Sequence, residues 1–153
     1  MTSISDVVDA LRQDGVDPAL LWHVGDLLTR WLTEQSGGRL EGYGPEVMGA
    51  ELDEAGVGAL HSALLGLVEP DLSHPHADMI VWLIGKLARP TDRQLFEQAL
   101  ERGLAGDDGL LYQALIALDN LDALDAGTTS FAAFEVDKNR DLARAYLKRR
   151  AEE

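Results

Sequence analysis

Met79-Ile-Val-Trp-Leu-Ile-Gly-Lys-Leu87 is the stretch whose reading decides the fold. It is apolar on every side for two turns of helix. A helix without a polar face has to be buried all round. The stretch is too short to cross a bilayer, which takes about 20 apolar residues. It is therefore expected as a central helix with the others packed around it. A second run of the same kind, Leu110 to Leu118, has Gln113 as its single polar residue. Between the two lies an amphipathic pattern, with Leu95, Phe96, Ala99, Leu100 and Leu104 on one side. Glu97, Glu101 and Arg102 face the other way.

Towards the N-terminus, Ser3 or Ser5 can cap a short helix with Ile4, Val8 and Leu11 on one face, ended by Gly15. Asp17-Pro18 reads as the N-cap and first position of a helix running to about Glu34, with Leu21, Val24, Leu28 and Trp31 at helical spacing. Residues 37–46 hold four glycines and Pro45, and form a loop. Tyr43 inside it is either a packed plug or an exposed contact residue. Pro45 can start a weak turn through Leu52. Asp53-Glu54 places acid at the start of the next helix, where the dipole favours it. Val57, Leu60, Leu64 and Leu67 form that helix's apolar face. Gly56, Gly58 and Gly66 each lower its propensity by up to about 1 kcal/mol, or let a neighbour approach closely.

Towards the C-terminus, Pro70 to Pro75 is a turn, and Thr91 with Gln94 suggests a capping box after Pro90. Gly106-Asp107-Asp108-Gly109 breaks one helix and offers a cap for the next. Residues 122–138 are expected as an irregular loop, with Phe131 and Phe134 docking Gly127-Thr-Thr-Ser130 onto the body. A basic C-terminal helix, 139–153, would be capped by Asp137 or Asn139 and turn Leu142, Ala145 and Tyr146 inward. Lys148, Arg149 and Arg150 stand in its last turns, where the dipole favours cations. No segment alternates convincingly at period two, so no sheet is expected. The fold class that follows is all-α, with 1–153 a single domain of six to seven helices.

The two apolar runs superpose at an offset of 34 residues, pairing Ile80 with Ala114, Val81 with Leu115, Trp82 with Ile116 and Ile84 with Leu118. Offsets of that size suit helix-pair repeats. With the Arg89-Pro90-Thr91-Asp92 turn and the amphipathic helix after it, Ala77 to Leu121 resembles a HEAT-like α-helical repeat. The resemblance implies a short right-handed α-solenoid as the alternative to a plain bundle, and a protein-binding scaffold without catalysis. The glycine loop at 37–46 and residues 122–138 depart from the pattern.

The chain has 153 residues, 46% of them hydrophobic, which allows a sizeable core. It has no cysteine, which excludes a disulfide scaffold and thiol catalysis. Met-Thr-Ser-Ile-Ser-Asp at its start has neither a basic nor an apolar leader region, so a soluble cytoplasmic protein is expected. The net charge is −14. Residues 1–137 hold 24 acids and 7 bases, and residues 138–153 hold 3 and 6. Such an acidic body repels phosphate backbones and attracts a basic protein partner. Plain solubility is the alternative explanation of the charge.

Candidate sites are few. Asp119, Asp122 and Asp125 follow the second apolar run at a spacing of three. Acid near a helix C-terminus opposes the dipole by about 0.3–1 kcal/mol each, a cost that binding could retain; alternatively, Asp119 or Asp122 caps a new short helix. With Tyr43 these three are the candidate partner-binding residues. His74-Pro75-His76-Ala77-Asp78, with Asp71 nearby, carries donors suited to zinc or a non-haem metal. Asp78 is equally explained as an acid in the first turn of a helix. There is no nucleophile elbow and no phosphate loop; Gly56-Val57-Gly58 follows no strand and is not a dinucleotide fingerprint. No catalytic residue and no cofactor is expected.

The leading expectation is a non-catalytic acidic interaction module, for example an immunity protein that neutralises a basic toxin. A metal-binding protein or metal-dependent enzyme using His74, His76 and Asp78 is one alternative. A structural subunit that pairs its Trp22 and Trp31 helix with a second copy, as a homodimer, is another.

Overall fold

The computed structural model describes residues 3–35, 52–121, 123–124 and 135–153. Among these residues there are seven α-helices, one 3-10 turn and no strand, so the all-α class holds. The glycine loop with Tyr43, the turn expected from Pro45, Asp122, Asp125, Phe131 and Phe134 lie outside the described residues. The backbone packing divides into two compact units, Met1–His76 and Ala77–Glu153.

The first unit holds α1 (Ile4–Leu11), α2 (Pro18–Gln35) and α3 (Glu54–Val68). Each start has a side-chain cap of the kind its sequence announces. Ser3 Oγ accepts from the Asp6 N–H at 3.1 Å, Asp17 Oδ1 from Ala19 at 2.8 Å and Asp53 Oδ1 from Gly56 at 2.7 Å. Gly15, at φ +75°, supplies the left-handed residue that reverses the chain between α1 and α2. α1 packs on both α2 and α3, burying Val7, Val8 and Leu11. Close approach explains only one of the three α3 glycines. A Cβ at Gly56 would lie 3.0 Å from Leu52 Cδ1, whereas one at Gly58 or Gly66 would meet nothing within 4 Å.

The second unit holds α4 (Ala77–Lys86), α5 (Arg93–Leu104), α6 (Asp108–Asn120) and α7 (Val136–Ala151). Both apolar runs turn most of their residues inward, but Met79, Trp82 and Leu87 are only half-buried, so the first is not buried all round as expected. Ile80, Val81, Leu83 and Ile84 of α4 are buried, as are Leu110, Leu111, Ala114, Leu115, Ala117 and Leu118 of α6. The hub is α6, against which α4, α5 and α7 all pack. The Met79–Leu87 run was expected to take that place; it packs as one flank of the hub.

Two glycines set how close the flanks come. A Cβ at Gly85 of α4 would stand 2.8 Å from the Ala117 Cβ, and one at Gly103 of α5 would stand 2.7 Å from the Leu111 backbone. Asn120 Nδ2 also donates to the Gly85 carbonyl at 3.1 Å, tying the ends of α4 and α6 together. The α6 start is capped by Asp107, whose Oδ1 accepts from Leu110 at 3.0 Å.

Three local expectations are corrected. α5 is entered through a 3-10 turn, Pro90–Asp92, with Asp92 and not Thr91 at its N-cap. α7 starts at Val136 with Glu135 as N-cap, three residues before the expected 139. Its buried face is Asn139, Ala143 and Tyr146, while Ala145 is exposed. The face chosen by α7 is decided by side-chain hydrogen bonds to α5, which hydrophobic spacing does not register.

Candidate functional site

Charge is divided unevenly between the units. Met1–His76 carries 13 acidic and 3 basic residues, net −10, and Ala77–Glu153 carries 14 and 10, net −4. In the second unit the basic helix α7 is answered locally. Arg140 meets Asp108 at 2.8 Å, Arg150 Nε meets Glu97 at 2.6 Å and Lys138 meets Glu135 at 3.4 Å.

The best-connected of these contacts centres on Tyr146, which is only 2% exposed. Its hydroxyl accepts from Arg93 Nε at 3.0 Å and donates to Glu97 Oε2 at 2.9 Å. The Arg93 and Arg149 guanidinium carbons stand 5.8 and 5.7 Å from its ring centre. Burial pushes the Glu97 carboxyl up, but bonds from Arg150 and Tyr146 and the charges of Arg150 and Arg93 outweigh it and hold the group below its ordinary value. Burial raises the Tyr146 phenol, with Glu97 adding to the rise and Arg93 opposing it. This network fastens α7 to α5. Its groups are engaged with one another, so it reads as a structural clamp.

In the first unit several acids serve the backbone. Asp17 and Asp53 are caps, and Asp71 Oδ1 accepts from the Ser73 N–H at 3.2 Å. Asp9, Asp14 and Glu69 are exposed, and their side chains form no hydrogen bond or ion pair among the described residues. By sequence the first unit thus carries the larger net negative charge, and among its described residues these three acids are exposed and uncommitted. Exposed carboxylates without a nearby cation act over about a screening length, steering a cationic partner rather than gripping it.

The sequence-derived candidates are placed as follows. Asp119 lies in the last turn of α6 and is half-buried, while Asp122, Asp125 and Tyr43 fall outside the described residues. His74 and His76 stand with ring centres 5.8 Å apart, and His74 Nδ1 accepts the His76 backbone N–H at 3.0 Å. That bond removes Nδ1 as a donor to any cation. Burial, and secondarily His76, lowers the His74 imidazole. Asp78 Oδ1 accepts from the Met79 N–H at 2.9 Å in the first turn of α4. Among the described residues no three His, Cys, Asp or Glu side chains are grouped so as to hold a metal ion. Nor is any described helix long and apolar enough to cross a membrane.

Two features were missed from sequence. The Glu97–Tyr146–Arg150 clamp joins residues about fifty positions apart and has no local signature. The acidity of the first unit was legible in principle, because a charge count divided near the Pro70–Pro75 turn would have exposed it. No protein-family model, curated protein or solved structure matches the chain.

Proposed function

We propose that the chain is a non-catalytic, acidic interaction module whose partner is a basic protein. The observation that carries this reading is the net −10 of Met1–His76, with Asp9, Asp14 and Glu69 exposed and uncommitted. An immunity protein that covers the active site of a cationic toxin in the cytoplasm is its concrete form. The HEAT-like scaffold belongs to the same proposal. In its support, the two apolar helices superposed in sequence, α4 and α6, pack directly on each other, with α5 also against α6. Asp119, Asp122, Asp125 and Tyr43 stay in the proposal as further partner-binding residues, each taken by itself.

The test is to isolate the protein that co-purifies with the chain and titrate the purified pair at about 50 and about 500 mM salt, where the screening length falls several-fold. Expected is a basic partner whose affinity drops with salt and with Asp→Asn changes at Asp9, Asp14 or Asp119. A tight partner indifferent to salt and to all of these changes overturns the reading.

One observation favours self-association as a second reading. Trp22 on α2 is 59% exposed, and is the one exposed large hydrophobic residue among those described. Sedimentation of the wild type against Trp22→Ala decides it; a homodimer lost in the variant supports the pairing, and a monomer in both rejects it.

A further inference from the structure

Within the first unit, a cleft of about 530 Å³ opens between the end of α1, the last turn of α3 and the turn that carries the two imidazoles. That volume falls within the range of small-molecule sites, roughly 300–1,000 Å³. Its lining divides by chemistry. Val16, Leu67 and Pro75 give an apolar wall, and Arg12, His74 and His76 give donors. Val16 is turned into this position by Gly15 at φ +75°.

Arg12 carries the decisive sign. Its unit has 13 acidic residues, and Asp9, Gln13 and Asp14 share a depression with it. Yet its guanidinium forms no ion pair and no side-chain hydrogen bond among the described residues. The imidazole of His74 is oriented by a fixed bond. Because Nδ1 accepts from the His76 backbone at 3.0 Å, the neutral ring carries its proton on Nε2, which makes it a donor. A planar guanidinium and imidazole N–H groups are the set that recognises a carboxylate.

We propose that this cleft binds a small organic monocarboxylate, its charged end on Arg12 and the imidazoles and its apolar body against Val16, Leu67 and Pro75. Asp14, the one acid in the lining, disfavours a second negative charge, so phosphate is a poor ligand. The titratable and charged groups facing the ligand are Arg12, Asp14, His74 and His76; α3 contributes Gly66 and Leu67, which are neutral. Gly66 also leaves the floor open, since a Cβ there would meet nothing within 4 Å.

The probe is benzoate, followed through the His74 and His76 imidazole resonances of the intact chain, with benzamide and inorganic phosphate as controls. Benzoate is expected to shift both rings saturably, because both imidazoles line the cleft. Arg12→Gln is expected to weaken binding at least about tenfold, the scale of one lost charge-assisted pair. Gly66→Leu should abolish it by filling the cleft, while improving helix propensity, so that a folding defect does not confuse the result. The proposal is overturned if benzoate moves neither ring at tens of millimolar. It is equally overturned if benzamide or phosphate binds as well, or if binding persists in both variants.

Discussion

At the scale of single residues, the glycines carry the sharpest prediction because their surroundings differ in sign. Gly66 and Gly103 both lie inside helices, where alanine is intrinsically better by about 1 kcal/mol. At Gly66 the new methyl meets nothing within 4 Å. At Gly103 it would stand 2.7 Å from Leu111 Cα, Cβ and N, and the backbone of α6 would have to move. Gly66→Ala is therefore expected to raise the urea midpoint by an amount worth about 0.5–1 kcal/mol. Gly103→Ala is expected to lower stability by about 1–3 kcal/mol, the usual cost of overpacking. Equal shifts of one sign in both variants would contradict the close crossing of α5 and α6. Ala88 offers a parallel case. It follows α4 at φ 48°, a left-handed position that suits glycine. Ala88→Gly should stabilise the chain by up to about 1 kcal/mol in thermal unfolding.

At the scale of elements, α7 is held by hydrogen bonds where α4 and α6 are held by grease, and that difference governs what was readable. Ile80–Ile84 and Leu110–Leu118 declare burial through composition alone, so the fold class and both interior helices could be stated from the residues. The start caps were equally legible at Ser3, Asp17, Asp53 and Asp107, because capping is local chemistry. The face of α7 was not, since Tyr146 is drawn inward by Arg93 and Glu97 on α5. The clamp also makes a pH prediction. Glu97 is held below its ordinary carboxylate value of 4.5 in the folded state. A depressed carboxyl contributes stability above the unfolded value, and the contribution is lost as pH falls through the folded one. Tyr146→Phe removes the hydroxyl that donates to Glu97, at a cost of about 1–2 kcal/mol near neutral pH. In denaturant titrations the gap between wild type and Glu97→Gln should narrow as pH falls below the ordinary value of 4.5 and through the lower folded one. A gap that is constant over this range would mean that Glu97 does not titrate below its free value.

At the scale of the whole molecule, the question is whether net charge or its placement matters to a cationic partner. Two triple variants separate these. Asp9→Asn, Asp14→Asn and Glu69→Gln remove three exposed charges from the first unit. Glu101→Gln, Asp137→Asn and Glu152→Gln remove three exposed charges from the second. Both leave the chain at −11 in place of −14. Steering depends on the local field within a screening length, about 10 Å at 0.1 M salt, and not on the total alone. The first set stands in a unit of net −10, where few cations oppose it; the second stands among ten basic residues. Association of a labelled oligolysine of about ten residues, followed by stopped flow at about 20 mM salt, should slow several-fold more in the first triple than in the second. At about 0.5 M salt the three proteins should converge, because charges more than a few ångströms apart no longer sense one another. Equal slowing in both triples would mean that the partner responds to total charge only, and the acidic surface of Met1–His76 would lose its claim to be the docking face.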